Sequence, residues 1–319
     1  MKKSEMIELP FLLLDYLRKN TDDEHFVTMP QIQKHLDDSE NSFDRRTIYR
    51  AIHVLNEHGY TIHFTKNRGY WLENRFSPAE IYYLRNLTER SGALSETETK
   101  ILSDKLSSLI SETNNKILPA PVKNTVKTDN TQVLETMDCL LKAIARRNYV
   151  SFLYYDITIT KKKSYRRQRE KYKLVPYALL SNRGRFYCIM YAKEHQRFLN
   201  FRIDKMEDVS VLAEQEDPVY FSLDDYIRSS FDMYHGDPQT ITAEFDNSLS
   251  NYVFDQFGRD ILISEVNETH FTASIQTSLT PTLVSWIIQF YDKIRIIHPQ
   301  DLIDNLLNIA GSINNTYQK

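Results

Sequence analysis

Residues 44–73 read DRRTIYRAIHVLNEHGYTIHFTKNRGYWLE, and two periodicities within them decide the N-terminal fold. Ile48, Ala51, Ile52 and Leu55 recur at i, i+3, i+4 and i+7, which is one face of a helix. Arg46, Tyr49, Arg50 and His53 repeat the same spacing on the opposite side. Ser42 is the expected N-cap and Gly59 the expected C′ residue. Upstream, Thr28, Met29 and Pro30 open a short helix carrying Ile32 and Leu36, followed by a polar turn through Asp37, Asp38 and Ser39. An earlier amphipathic helix is expected from Ile7, Phe11, Leu14 and Leu17. Downstream, Ile62 and Phe64 alternate in phase, TKNRG turns, and Tyr70 and Leu72 resume the alternation. Three helices and a hairpin over residues 1–75 predict a winged helix-turn-helix.

The five lysines and arginines of this stretch stand where such a unit meets DNA. Arg45, Arg46 and Arg50 suit guanine edges or phosphates, Thr47 the sugar-phosphate backbone, and Tyr49 and His53 share their face. Lys66 and Arg68 extend the footprint from the wing. A double-stranded DNA operator is therefore the expected partner. Residues 1–73 nevertheless hold ten Lys/Arg against twelve Asp/Glu, so one copy should hold a polyanion weakly. A homodimer reading two half-sites is expected.

With 319 residues, 41% hydrophobic and 26% charged, the chain is too long for one ordinary core and predicts several α+β domains. The start, MKKSEMIELPFLLLDYL, carries Glu5, Glu8 and Asp15 around its apolar run and does not read as a signal peptide. No run predicts a membrane span, and Cys139 and Cys188 lack metal-ligand spacing. A cytoplasmic protein without metal or cofactor is expected. Catalysis is not: P-loop, dinucleotide fingerprint, His-Glu-x-x-His and Gly-x-Ser-x-Gly are all missing from the sequence.

Charge is unevenly spread. Between Thr160 and Leu174, TKKKSYRRQREKYKL holds Lys161, Lys162, Lys163, Arg166, Arg167, Arg169, Lys171 and Lys173 against Glu170. From Glu214 to Lys319 the balance reverses, to sixteen acidic and five basic residues, which points to oligomerisation or gating there rather than DNA contact. Basic residues interleaved with Tyr154, Tyr155, Tyr165, Tyr172 and Tyr177 suit phosphates and stacked bases.

Ser77 and Pro78 start a connector of two helices, the second carrying Ile101, Leu102, Leu106 and Leu109, and residues 114–130 read as an exposed linker within a connector spanning 76–130. A further helix from Gln132 to Arg147 should bury Leu134, Met137, Leu141 and Ile144. Short alternating strands follow: VSFLYYD, KLVPYALL, RFYCIMYA, FLNFRI and DKMEDVSVL, in the rhythm of a small β-barrel over 131–213.

This region resembles the WYL-domain family. The likeness runs from the helix into VSFLYY, through Pro176, to Phe186, Tyr187 and Cys188 at the eponymous Trp-Tyr-Leu, then NFRIDKM at 200–206. Two of the three eponymous residues differ, and Leu199 and Lys205 stand where arginines are expected. Arg202 keeps its arginine. The resemblance implies a winged helix, a helical connector, an Sm-like WYL barrel and a C-terminal WCX extension, with a nucleotide or single-stranded nucleic-acid effector. The expected effector residues are Tyr154, Lys163, Arg166, Arg167, Arg169, Tyr177, Arg183, Arg185, Tyr187 and Arg202. After a linker over 214–238, residues 239–319 read β-α-β-β-α-β-α, a ferredoxin-like order that resembles WCX, with Trp286 before IIQFY. An RNA-binding or protein-interaction adaptor on the same barrel, without operator recognition, is the alternative.

Overall fold

The computed structural model describes residues 3–37, 43–122, 125–217, 219–228, 230–231, 234–235 and 238–318. Its N-terminal unit contains α1 (Lys3–Asn20), α2 (Met29–Asp37), α3 (Arg45–Glu57), β1 (Ile62–Thr65) and β2 (Gly69–Leu72). The helix of the quoted stretch buries Ile48, Ala51, Ile52 and Leu55, against Leu9, Leu13 and Leu17 of α1 and Ile32 and Leu36 of α2. Two expectations change here. Phe11 is 69% exposed while Leu9 and Leu13 are buried, because α1 turns its leucine-rich side to the core. The cap of α3 is Asp44; Ser42, and the turn through Asp38 and Ser39, lie outside the described residues. Gly59 follows the helix with φ +83, as its C′ position requires.

The hairpin is fastened to the chain entering α2. Val27 and Tyr70 exchange backbone hydrogen bonds at 2.9 and 2.8 Å, which makes Val27 a third partner for the two strands. Gly69 permits this approach: its φ is +122, and a Cβ there would stand 2.3 Å from the Val27 carbonyl oxygen. Gly69→Ala is therefore expected to cost about 2 kcal/mol of stability through backbone strain and displacement of Val27, measurable by urea denaturation of the full chain.

The connector holds α4 (Pro78–Arg90), α5 (Glu96–Ser107) and α6 (Glu112–Ile117). Ser77 with Glu80, and Ser95 with Glu98, form reciprocal capping boxes. The third helix occupies the start of the segment expected to be linker. A second correction concerns α5, which buries Glu98, Thr99 and Ser103 while Ile101 and Leu109 are exposed. Polar groups face inward because they have partners: Glu98 Oε1 accepts the Leu134 amide at 2.9 Å, and Thr99 Oγ1 accepts from Lys127 at 3.0 Å.

Next come α7 (Val133–Arg146), β3 (Asn148–Ile157), β4 (Lys163–Tyr165), β5 (Tyr172–Asn182), β6 (Arg185–Ala192), β7 (Arg197–Arg202) and β8 (Met206–Gln215). The expected apolar stripe of α7 is out of phase: Val133, Thr136, Leu140 and Ala143 are buried, and Leu141 is 52% exposed. Both stripes of this helix are apolar, so periodicity alone does not select one. The strands run β4-β3-β5-β6-β7 in an antiparallel sheet, with β8 pairing back onto β3. First and last strands thus meet, and the sheet curls around Val150, Phe152, Tyr154, Cys188, Met190 and Phe201. A 3-10 turn, Ile203–Lys205, joins β7 to β8.

Beyond α8 (Leu223–Arg228), β9 (Ser230–Phe231) and β10 (Tyr234–His235), the chain forms β11 (Pro238–Asp246), α9 (Ser250–Phe257), β12 (Leu262–Val266), β13 (His270–Ser278), α10 (Pro281–Ile288), β14 (Ile294–His298) and α11 (Gln300–Tyr317). All seven elements expected after residue 238 are present in that order. Their sheet is antiparallel, ordered β12-β13-β11-β14. One face carries Ile241, Ala243, Phe245, Phe271 and Ile296 against Val253, Leu283, Trp286 and Leu302 of the helices.

Candidate nucleic-acid interface and ligand site

The outer face of α3 is set by its cap. Asp44 Oδ1 accepts the Thr47 amide at 2.7 Å, and hydrogen bonds from Thr47 hold the Asp44 carboxyl below the usual range. Thr47 is thereby engaged at the helix start. Arg45 donates from Nε to Gln33 Oε1 at 3.1 Å, tying α3 to α2. Tyr49 leans on Tyr70, with ring centroids 6.4 Å apart, and His53 Nε2 lies 3.3 Å from Glu57. On the hairpin, Arg68 folds back: Nη2 donates to the Glu24 carbonyl at 3.0 Å and its guanidinium stands 3.9 Å from the centre of the Phe26 ring. The side chains of Arg46, Arg50 and Lys66 are exposed and make no hydrogen bond or ion pair with any described residue. On α3 and the hairpin, these three are the described cations open to an incoming polyanion.

The basic block between β3 and β5 is placed differently from its appearance in the sequence. Its charges are largely matched by carboxylates of β3 and β8. Lys163 pairs with Glu207, Arg166 with Asp156 at 2.7 Å, Lys171 with Asp208 at 2.6 Å, and Lys173 with Glu214. Asp156 also takes Lys205 at 2.9 Å; the Arg166 hydrogen bond, foremost, holds its carboxyl below the usual range. Tyrosine rings support the stems: Arg166 lies 5.0 Å from the Tyr154 ring centre, Arg167 5.1 Å from Tyr172, Arg169 4.6 Å from Tyr165 and Lys163 4.6 Å from Tyr155. Lys161, Lys162 and Arg169 are the members of the block whose side chains make no hydrogen bond or close ion pair with a described residue.

This pairing makes a quantitative prediction. Single-stranded DNA on eight free cations would show a log K against log salt slope near −6, whereas three give about −2. The shallow slope is the expected result for any oligonucleotide held by this hairpin, measured by anisotropy across a salt series.

Arg202 anchors a second cluster. It sits opposite Tyr187 in the β6–β7 register, and its backbone amide donates to the Tyr154 hydroxyl at 3.2 Å. Its guanidinium grips Asp204 with two bonds, Nε to Oδ1 at 3.1 Å and Nη2 to Oδ2 at 2.7 Å, and this bonding raises the Arg202 pKa further. Asp204 is 3% exposed and Arg202 29% by side chain, so the arginine keeps an open edge. Tyr155, whose phenol burial pushes up to about 12, donates to the Asp204 carbonyl at 3.0 Å.

Of the expected effector residues, Arg202 faces Tyr187 across β6 and β7, and Arg166 lies over the buried Tyr154, whose hydroxyl accepts the Arg202 amide. Lys163, Arg167 and Arg169 flank them on the basic hairpin. Tyr177 does not join them: its ring packs on Phe198 and Phe221 at 5.1 and 5.6 Å, and its hydroxyl accepts the Val219 amide. Arg183 lies exposed in the β5–β6 turn with φ +47. Arg185 points to the connector, donating to the Gly92 carbonyl, to the Val126 carbonyl at 3.3 Å and to Asp204 Oδ2 at 3.1 Å. Sequence reasoning missed Asp156, Asp204 and Glu207, the carboxylates that organise the cations. The signal was present in VSFLYYD, NFRIDKM and DKMEDVSVL, but a charge count along the chain does not show which strands meet.

Among the described residues, no helix is long and apolar enough to cross a membrane, and no group of three or more His, Cys, Asp or Glu is placed to hold a metal ion. Residues 135–211 match the WYL domain family model, within the expected 131–213; the chain contains a WYL domain. No curated protein matches. Among solved structures, proteasome accessory factor B/C (PafBC) of Arthrobacter aurescens is similar at 16% identity and TM-score 0.28, over 95% of this chain and 46% of that one. A CRISPR Cas-related protein is similar at 11% identity and TM-score 0.24, over 75% of this chain and 80% of its own. The chain thus spans about half the length of the PafBC structure.

Proposed function

We propose that this chain is a DNA-binding transcriptional regulator, acting as a homodimer, whose WYL domain senses a phosphate-bearing nucleotide or short single strand. In this reading residues 1–75 are a winged helix-turn-helix, with α3 entering the major groove and the β1–β2 hairpin as wing. The curled sheet is an Sm-like barrel. The C-terminal unit is ferredoxin-like and corresponds to a WCX extension, a reading supported by its β-α-β-β-α-β order and its β12-β13-β11-β14 sheet.

The observation that supports DNA binding is the trio Arg46, Arg50 and Lys66, exposed and without a side-chain hydrogen bond or ion pair among the described residues, while Arg45 and Arg68 are engaged. Two arginines on the outer face of the helix and a lysine on the hairpin that follows suit a phosphate backbone, which can pair all three. The ligand reading rests on Arg202, whose open edge lies beside Tyr187, with Arg166 stacked over nearby Tyr154: a planar fork and an aromatic face suit phosphate and base. Genome-wide footprinting of the full chain tests the proposal. Protected sites are expected to share an inverted repeat with half-sites about one helical turn apart. Uniform low-affinity coating without a common sequence would refute it.

A further inference from the structure

Asp204 is shared between two arginines with different destinations. Arg202 faces the ligand site; Arg185 leaves the tip of the β5–β6 hairpin for the corner between α4 and α5. At that corner the Ala93 amide donates to the Gly184 carbonyl at 3.1 Å, and Arg185 binds the carbonyls of Gly92 and Val126. Gly92 is shaped to the guanidinium, since a Cβ there would lie 2.9 Å from Arg185 Cζ. The corner is itself braced by Lys127, whose Nζ donates to the Glu89 and Ser91 carbonyls at 2.7 and 3.1 Å. Farther along the connector, the Ser111 hydroxyl donates to Asp22 Oδ2 at 2.6 Å, and both residues are 0% exposed. Bonds thus link Arg202 through Asp204 and Arg185 to the α4–α5 corner, and the connector that this corner begins is bonded at Ser111 to the loop after α1.

We infer that Asp204 is the positioning residue through which an anion on Arg202 controls the docking of the sheet on the connector. The inference rests on the proposed reading of Arg202 as the ligand's phosphate contact. A phosphate on the open edge of the Arg202 guanidinium shares its positive charge with Asp204 and weakens the two bonds that Asp204 receives from Nε and Nη2. The carboxylate is almost wholly buried and does not tolerate losing its compensating charge. Arg185 is the other cation that already touches it. Its remaining partners are neutral carbonyls, which a charge-assisted bond to Asp204 outcompetes. Ligand binding therefore draws Arg185 onto Asp204 and away from Gly92 and Val126, and the hairpin tip loosens from the α4–α5 corner. The two arrangements differ in which arginine satisfies one carboxylate, which is the discrete alternative that coupling between distant sites needs.

The experiment uses the full chain and a fluorescein-labelled, 5′-phosphorylated oligothymidylate. Anisotropy reads binding, and hydrogen exchange of the peptide containing Ala93 reads the dock. Wild type is expected to bind, with Ala93 exchanging about tenfold faster when saturated. Arg202→Ala should lose binding. Arg185→Gln should still bind, with Ala93 already fast and unresponsive to ligand, since coupling is reciprocal and the dock is already open; Arg185→Lys serves if the glutamine variant does not fold. Binding that depends on Arg202 but leaves Ala93 exchange unchanged overturns the coupling and spares the ligand site. Loss of binding in the Arg185 variants would make that arginine a ligand contact and overturn its docking role. No binding, or equal binding by Arg202→Ala, removes the ligand reading and this inference with it.

Discussion

Arg46→Ala combined with Arg50→Ala is expected to remove specific operator binding while leaving the protein folded. Each arginine reaching a guanine edge contributes about 1–3 kcal/mol, so the pair accounts for about 2–6 kcal/mol, or roughly thirtyfold and upward in affinity. Neither side chain packs against the core or bonds to a described residue, whereas Ile48, Ala51, Ile52 and Leu55, the cap at Asp44 and the Arg45–Gln33 bond are untouched by the change. Circular dichroism and the denaturation midpoint should therefore match wild type. The salt series separates two roles: removing arginines that read bases leaves the slope as it was, and removing arginines that neutralise phosphates flattens it by about one for each. Unchanged affinity for operator DNA would show that α3 does not face the groove.

The second large effect is on stability. Asp204→Ala leaves the Arg185 and Arg202 guanidinia, each at least two-thirds buried by side chain, without their carboxylate. Removing one partner from a buried charged cluster costs about 3–5 kcal/mol, because the remaining charge keeps its desolvation penalty. Three charge-assisted bonds disappear at once. Two structural bonds survive, since Asn130 Nδ2 and the Tyr155 hydroxyl both reach the backbone carbonyl of residue 204. The loss should therefore be confined to the charge cluster. Chemical denaturation of the full chain measures it, and a cost below about 1 kcal/mol, the range of exposed ion pairs, would show that solvent already screens the site.

Local pattern was sufficient wherever one face of an element is apolar and the other polar. The helix Arg45–Glu57, the hairpin Ile62–Leu72 and the seven elements after residue 238 were legible for that reason. So were the capping serine at 77 and the glycine after α3, because each marks a helix end through its own backbone geometry. Pattern failed where both faces carry the same chemistry. The leucine-rich α1 and the doubly apolar α7 gave no internal reason to choose Leu13 over Phe11, or Leu140 over Leu141; neighbouring elements chose. In α5 an inward polar face is stable only because Lys127 and Leu134, distant in sequence, supply its partners.

The candidate sites divide the same way. Cations opposite the core of α3 follow from helical spacing, and sequence alone determined that they stand on one face. Which of them are free was settled by tertiary contacts: Gln33 takes Arg45 and the Glu24 carbonyl takes Arg68, leaving Arg46, Arg50 and Lys66. The basic block from Lys161 to Lys173 reads as uncompensated charge along the chain, yet the pairing of β3 with β4 and β8 brings Asp156, Glu207, Asp208 and Glu214 within bonding reach. Coulomb energy depends on distance in space and not on separation in sequence, so only the folded sheet could show that Lys163, Arg166, Lys171 and Lys173 are already paired and that Arg202 and Arg185 share one carboxylate.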